Sequence, residues 1–245
     1  MTPTNLSDRQ QAILKAITEE YIETASPVGS EKLDKKYGLG VSPATIRHEM
    51  VVLTDLGFLR QVHTIAGRMP TPMGLKYYVT NLMEPKNLSV SDEVAVKEKL
   101  WNYRAEFQKT VAEATRELAR RTHGLAVAVD NEDNIYSAGT SNILEMPEFY
   151  DIDLTRSVLS LLDQIDFMNK IFARAVGDED IHILIGDDLG YQYLSPCGLV
   201  FSRFGQGHRH SGAIGLIGPY RFDYPRVVPT VRYFGNLIDE MVSNW

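Results

Sequence analysis

A single cysteine, Cys197, stands in 245 residues, so no disulfide can close within the chain and a reducing compartment is expected. Between Pro196 and Gly198, ahead of the apolar Leu199, Val200 and Phe201, it reads as a small packed residue rather than a nucleophile. No apolar run approaches the roughly 20 residues that span a bilayer. The N-terminus lacks the basic-then-apolar pattern of a secretory signal, and a cytoplasmic protein without membrane contact is the expectation. There is no internal repeat, no low-complexity tract, no nucleophile with a paired base and no Gly-Lys-Ser/Thr phosphate loop. These absences argue against an enzyme and give no cofactor.

A basic excess is missing as well, since the net charge is −7. Divided by region, residues 1–82 hold nine Lys and Arg against eight Asp and Glu, 83–125 eight against seven, and 126–245 eight against seventeen. The acidity therefore belongs to the C-terminal part, and any nucleic-acid partner must be met by placed contacts at the other end rather than by bulk attraction.

What is present is a helix with capping signals at its start. Ser42 can accept from the free N–H groups of a first turn, and Pro43 at the first helical position gives up no intrahelical bond. Ile46, Met50, Leu53 and Leu56 then recur at spacings of four, three and three, one apolar stripe facing a core. Ser42, Ala44, Thr45, Arg47 and His48 fall mainly on the other side and suit the N-terminal end of a helix entering a major groove: Arg47 for guanine or phosphate, Ala44 or the Thr45 methyl for a thymine methyl, His48 as a donor. Taken alone, the segment fits a surface helix of its own domain equally well.

The neighbours shift that balance. Residues 7–24 carry Ile13, Leu14, Ile17, Tyr21 and Ile22 at helical spacing, with Ser7 as cap and Asp8 at the positive helix end. Ser30 is expected to cap a short second helix that supplies Lys32 and Lys36 for phosphates and stops at Gly38. After the third helix, 57–62 reads as a strand leading into a hairpin at 63–68, whose His63 and Arg68 are placed along a phosphate backbone or a narrow minor groove. Thr71 then caps another helix.

These stretches, LSDRQQAILKAITEEYIETASPVGSEKL, KKYGLGVSPATIR and HTIAGRMPT, closely resemble the N-terminal domain of the HrcA family of heat-inducible repressors. Residues 135–144, 146–149, 212–219 and 224–227 are similar to segments of the family's C-terminal half. The resemblance implies a winged helix-turn-helix protein that binds the CIRCE inverted repeat in double-stranded DNA as a homodimer, represses chaperone genes and is relieved on heat stress, with a chaperonin as a further partner. No chaperonin-binding motif is visible in the sequence itself. Family members run about a hundred residues longer, roughly one small domain; here Val129 passes through 130–134 almost directly into Ile135, so the inserted dimerising domain and several strands of the GAF-like sensor domain are expected to be absent.

The fold expected is α+β: a winged helix-turn-helix at 1–82, a long connecting helix within 83–123, and a reduced GAF-like α/β domain at 124–245. The connecting helix is drawn from Ser91 to about Arg121, with Val94, Leu100, Phe107, Val111, Ala114 and Leu118 as a seam. It reads equally as a dimerising lever and as a helix packed on its own C-terminal domain. Strands are expected at 126–129, 135–138, 181–185, 199–201 and 213–217, with helical spacing over 154–172 and a closing helix at 226–242.

Two other functions compete. A GAF-like domain can sense a small metabolite. The 205–212 loop, with His208 and His210 near His182, Asp187 or Asp188, would be needed for a metal-dependent hydrolase, but no spaced ligand set completes a first shell and the solvated-loop reading is preferred.

Overall fold

The computed structural model describes residues 6–62, 67–177 and 179–243, which fall into two compact units, Met1–Glu84 and Pro85–Trp245. The fold is α+β.

In the first unit, α1 (Asp8–Thr24) opens with Ser7 accepting from the Gln10 N–H while the Gln10 side chain accepts from the Ser7 N–H, which satisfies two orphan donors of the first turn. Helices α2 (Ser30–Tyr37) and α3 (Pro43–Asp55) follow, joined through Gly38 in the left-handed conformation that ends α2. Ser30 is not the cap of α2. Gly29 holds that position without a side-chain bond, and Ser30 is buried as the first helical residue. Ser42 caps α3 as expected, accepting from the Thr45 N–H at 3.2 Å with Pro43 next in line.

The inner stripe of α3 is Ile46, Met50 and Leu53, packed with Ile13, Leu14 and Ile17 of α1 and Leu33 of α2 in one buried core. Leu56 departs from the expected stripe and is exposed. It sits at the helix end, where Gly57 turns left-handed and the Phe58 N–H reaches back to the Leu53 carbonyl, so the chain leaves the helical path before the position can face inward.

Strands β1 (Leu59–Gln61) and β2 (Arg68–Pro70) pair antiparallel, Leu59 opposite Pro70 and Gln61 opposite Arg68. Val28 exchanges both backbone bonds with Arg68, adding a third rung before α2. Thr71 caps α4 (Pro72–Tyr77), which runs on into a π-helical turn at Tyr78–Leu82.

The second unit corrects the expected single connecting helix. The stretch forms two helices, α5 (Val90–Trp101) and α6 (Phe107–Thr122), with a turn between them. No glycine or proline marks that turn. Folding α5 back on α6 buries Val96 and Leu100, which one straight helix would leave in water, while Val94 of the expected seam is exposed. Tyr103 helps to close the turn, its carbonyl accepting from the Thr110 hydroxyl at 2.9 Å. Helix α6 packs on the sheet of its own unit.

That sheet contains β3 (Leu125–Asp130), β4 (Ile135–Ala138), β5 (His182–Ile185), β6 (Cys197–Phe204) and β7 (Gly212–Pro219), all antiparallel in the order β4-β3-β7-β6-β5. Between β4 and β5 lie α7 (Ile152–Leu161) and α8 (Ile165–Phe172), and α9 (Tyr224–Val242) closes the chain. The helical spacing over 154–172 is thus divided between two helices. Residues 125, 127 and 129 of β3 face a core with α7 and α8, while α6 and α9 cover the other face, so both sides of the central strands are apolar. Cys197 is fully buried, and desolvation pushes its thiol up to about 12, as fits a packing residue.

Candidate nucleic-acid interface

Capping by Ser42 and anchoring by Ile46, Met50 and Leu53 fix which side of α3 faces out. Ser42, Ala44, Arg47 and His48 are exposed and Thr45 is half-buried, its hydroxyl 3.0 Å from that of Ser42. The four exposed positions expected to face a groove therefore share the solvent side of one rigid helix. Arg47 also lines an open cleft of about 570 Å³ with Gly29 and Glu31 of the α2 entry, Gln61 of β1 and Arg68 of β2.

Arg68 pairs with Gln61, the last rung of β1 and β2 before the segment that joins them. Its Nε donates to the Thr54 hydroxyl at 3.2 Å, and that hydroxyl donates to the Met50 carbonyl, so the guanidinium is held beside α3. Gly67 lies just before Arg68, on the loop side of that rung. A Cβ there would lie 2.8 Å from the Pro27 carbonyl carbon, so the glycine permits the close approach of the 27–28 segment. His63 lies outside the described residues.

The two lysines expected to meet phosphates are both drawn to a buried carboxylate. Glu20 of α1 is buried, and Lys32 and Lys36 meet its two oxygens at 2.5 and 2.7 Å, with Lys36 also 2.5 Å from Glu23. Burial alone would raise the Glu20 carboxyl, but hydrogen bonds from Lys32 and Lys36 outweigh it and hold the group below the usual carboxylate range. Their charge compensates a buried anion that fixes α2 on α1. Lys35, between them, is exposed and has no acidic partner among the described residues, which leaves its charge available. Sequence pattern gave no reason to prefer it, because the partner of its neighbours lies a dozen or more residues away on another helix.

Gln61 is the other residue that sequence reading missed, on the exposed side of β1 and sharing the cleft with both arginines. Its signal lay in the strand itself: Leu59 is buried and the following Arg60 and Gln61 are exposed. Glu49, on the same helix, is held at the α1 N-terminus by Arg9 at 3.6 Å and by the Gln10 amide at 3.1 Å.

The histidines do not assemble. His182 is buried against Phe201, His210 stacks on Phe107 with ring centres 4.5 Å apart, and His208 is exposed. Among the described residues no group of three His, Cys, Asp or Glu is placed to hold a metal. No helix among the described residues is long and apolar enough to cross a membrane.

Residues 78–228 match the family described as HrcA protein C terminal domain. Among curated relatives, a heat-inducible transcription repressor HrcA of Desulforudis audaxviator is 29% identical, the alignment covering 93% of this chain and 95% of the relative. The protein of the same name from Pelotomaculum thermopropionicum is 26% identical over 97% of each chain. The first alignment runs over 331 positions, more than a chain of 245 residues can fill, so it opens gaps in this chain on the scale of a small domain. A crystal structure described as a hypothetical protein shares the fold, with a TM-score of 0.77 at 19% identity over 98% of this chain and 99% of the other.

Proposed function

The chain belongs to the HrcA family of heat-inducible transcription repressors, and from that premise we propose that it represses heat-shock genes in the cytoplasm by binding the CIRCE inverted repeat as a homodimer. The family is one of repressors and not of enzymes. In this reading the first unit is a winged helix-turn-helix with α3 as the reading helix and β1–β2 as the wing. The second is a reduced GAF-like domain, and repression is relieved on heat stress.

The observation that carries the reading is the division of α3 into two faces. Ile46, Met50 and Leu53 are locked into the core, and Ser42, Ala44, Arg47 and His48 stand out from it on a helix whose start is fixed by its cap. Arg47 has the geometry to meet the O6 and N7 of a guanine with two bonds, and His48 and Ala44 lie one turn or less away. For backbone contacts we keep Arg68 at the loop end of β2, add Lys35 and Gln61, and place less weight on Lys32 and Lys36, which are drawn to Glu20. His63 stays with the wing on its sequence position alone.

Residues 1–84 hold as many acidic as basic groups, nine of each, so one copy gains little from general attraction to DNA. Two copies on two half-sites supply the missing affinity, and two-fold protein symmetry matches an inverted repeat. An electrophoretic mobility assay with one half-site scrambled tests this directly. Binding is expected to fall at least about a hundredfold, as for loss of a linked second contact; an unchanged affinity would mean that a single copy suffices and the homodimer is wrong.

A further inference from the structure

The C-terminal unit is acidic, with sixteen Lys and Arg against twenty-three Asp and Glu over residues 85–245. Against that background, one open pocket of about 460 Å³ gathers Lys86, Arg120, Arg121, His123 and Arg226, with Asp92 as the acid on its wall. Three separate segments supply the cations: the chain before α5, the last turn of α6 and the first turn of α9.

The walls are tied together without any ligand. The Lys86 N–H donates to the Pro225 carbonyl at 2.7 Å, and the Arg226 guanidinium donates to the Arg121 carbonyl at 2.8 Å. Arg121 in turn holds Asp92, through its carboxylate at 2.6 Å and its carbonyl at 3.2 Å.

Not all of this charge is explained by folding. Arg120 and Arg121 lie at the C-terminal end of α6, where the helix dipole favours cations, and each has a carboxylate partner, Glu117 and Asp92 respectively. Lys86 and Arg226 have no acidic partner among the described residues. Arg226 also stands in the first turn of the 19-residue α9, the end at which the dipole disfavours a cation. Two cations without a carboxylate partner among the described residues thus share one pocket, one of them at the disfavoured end of its own helix and bonded only to the Arg121 carbonyl. Asn87, Ser89 and Thr230 line the same space, the Ser89 hydroxyl donating to Asp92 at 2.6 Å and the Thr230 hydroxyl to the Arg226 carbonyl at 2.7 Å, so its wall is mainly polar.

We propose that this pocket binds a small phosphorylated ligand, its phosphate held by Lys86, Arg226 and the His123 imidazole. A guanidinium meets two phosphate oxygens in one plane, and an ammonium adds a point charge, the combination that suits a compact multiply charged anion better than a carboxylate or an apolar group. The inference does not depend on the DNA-binding reading, since none of these residues belongs to the first unit.

Isothermal titration calorimetry of the full chain with pyrophosphate tests it, against sodium chloride at matched ionic strength as control. Saturable binding at one site per chain is expected, weakened about tenfold or more by Lys86→Gln and by Arg226→Gln, each the loss of one charge-assisted contact. The Lys86 side chain is exposed and makes no side-chain bond among the described residues, so the unliganded melting temperature of Lys86→Gln should match that of the unsubstituted protein. Arg226→Gln, which loses the bond to the Arg121 carbonyl, is compared well below its own melting temperature. No saturable heat, heat reproduced by chloride, or an affinity untouched by both substitutions would overturn the proposal. If the variants instead weakened duplex DNA binding and left pyrophosphate affinity unchanged, the pocket would be a DNA backbone contact and the proposal would again fall.

Discussion

Arg47→Ala is expected to cost about 1 to 3 kcal/mol of binding to the inverted repeat and to relax the base preference at one position of each half-site. Arg47 follows the buried Ile46 on α3 and projects from the first turns, one helical turn after the Ser42 cap, on the outer face. No core contact depends on its guanidinium, so truncation should leave the fold intact and subtract only what the arginine gives to DNA. The loss should fall on the specific complex, because a bidentate arginine distinguishes guanine from other bases, whereas Lys35→Ala should weaken the repeat and a scrambled duplex alike. Competition binding over a set of single-base operator variants separates the two effects. If Arg47→Ala left both affinity and preference unchanged, α3 would not be the reading helix.

Gly74→Ala is expected to destabilise the first unit by about 1 to 3 kcal/mol, although alanine is the better helix former by about 1 kcal/mol. Gly74 lies in α4 over the Phe58 carbonyl, and a Cβ built there would fall far inside van der Waals contact with that oxygen. The obstacle is backbone, and it is pinned. The Phe58 carbonyl accepts from the Thr71 N–H at 3.0 Å, while the Thr71 hydroxyl donates to the Gly57 carbonyl at 2.6 Å, lies 3.2 Å from the Phe58 oxygen, and caps α4 by accepting from the Gly74 N–H at 3.1 Å. Moving α4 away would break the link between the end of α3, the hairpin and the cap together. Overpacking should therefore outweigh helix propensity. Hydrogen exchange resolved over residues 57–75 should show faster exchange there in the variant, with a lower unfolding midpoint; a variant as stable as the parent, with unchanged exchange, would show that α4 is free to shift.

What the sequence made legible was local. The caps at Ser7, Ser42 and Thr71, the αL glycine at Gly38 and three of the four stripe residues of α3, Ile46, Met50 and Leu53, each depend on residues within one or two turns of one another, and the structure has these as read. The readings that changed depend on distant partners. Lys32 and Lys36 look like phosphate ligands until Glu20, twelve residues or more away on α1, is seen to be buried beneath them. The break between α5 and α6 carries no glycine or proline, and only the apolar surface of Val96 and Leu100 against α6 explains the reversal. Arg68 is legible as a hairpin residue beside Gly67, but its ties to Val28 through the backbone and to Thr54 through the side chain, which hold it beside α3, are not local in sequence. The cationic pocket of the second unit joins residues 86, 120–123 and 226, a combination that no local pattern reveals.

Fluorescence anisotropy of the whole chain on a duplex carrying the CIRCE inverted repeat, against a scrambled duplex of equal length at near-physiological salt, tests the central claim most directly. The account predicts binding to the repeat at least about a thousandfold tighter than to the scrambled duplex, the lower end of the range for specific regulators. Equal, weak and steeply salt-dependent binding to both would mean that the contacts are electrostatic only, and would contradict the assignment of α3 as a sequence-reading helix for that operator.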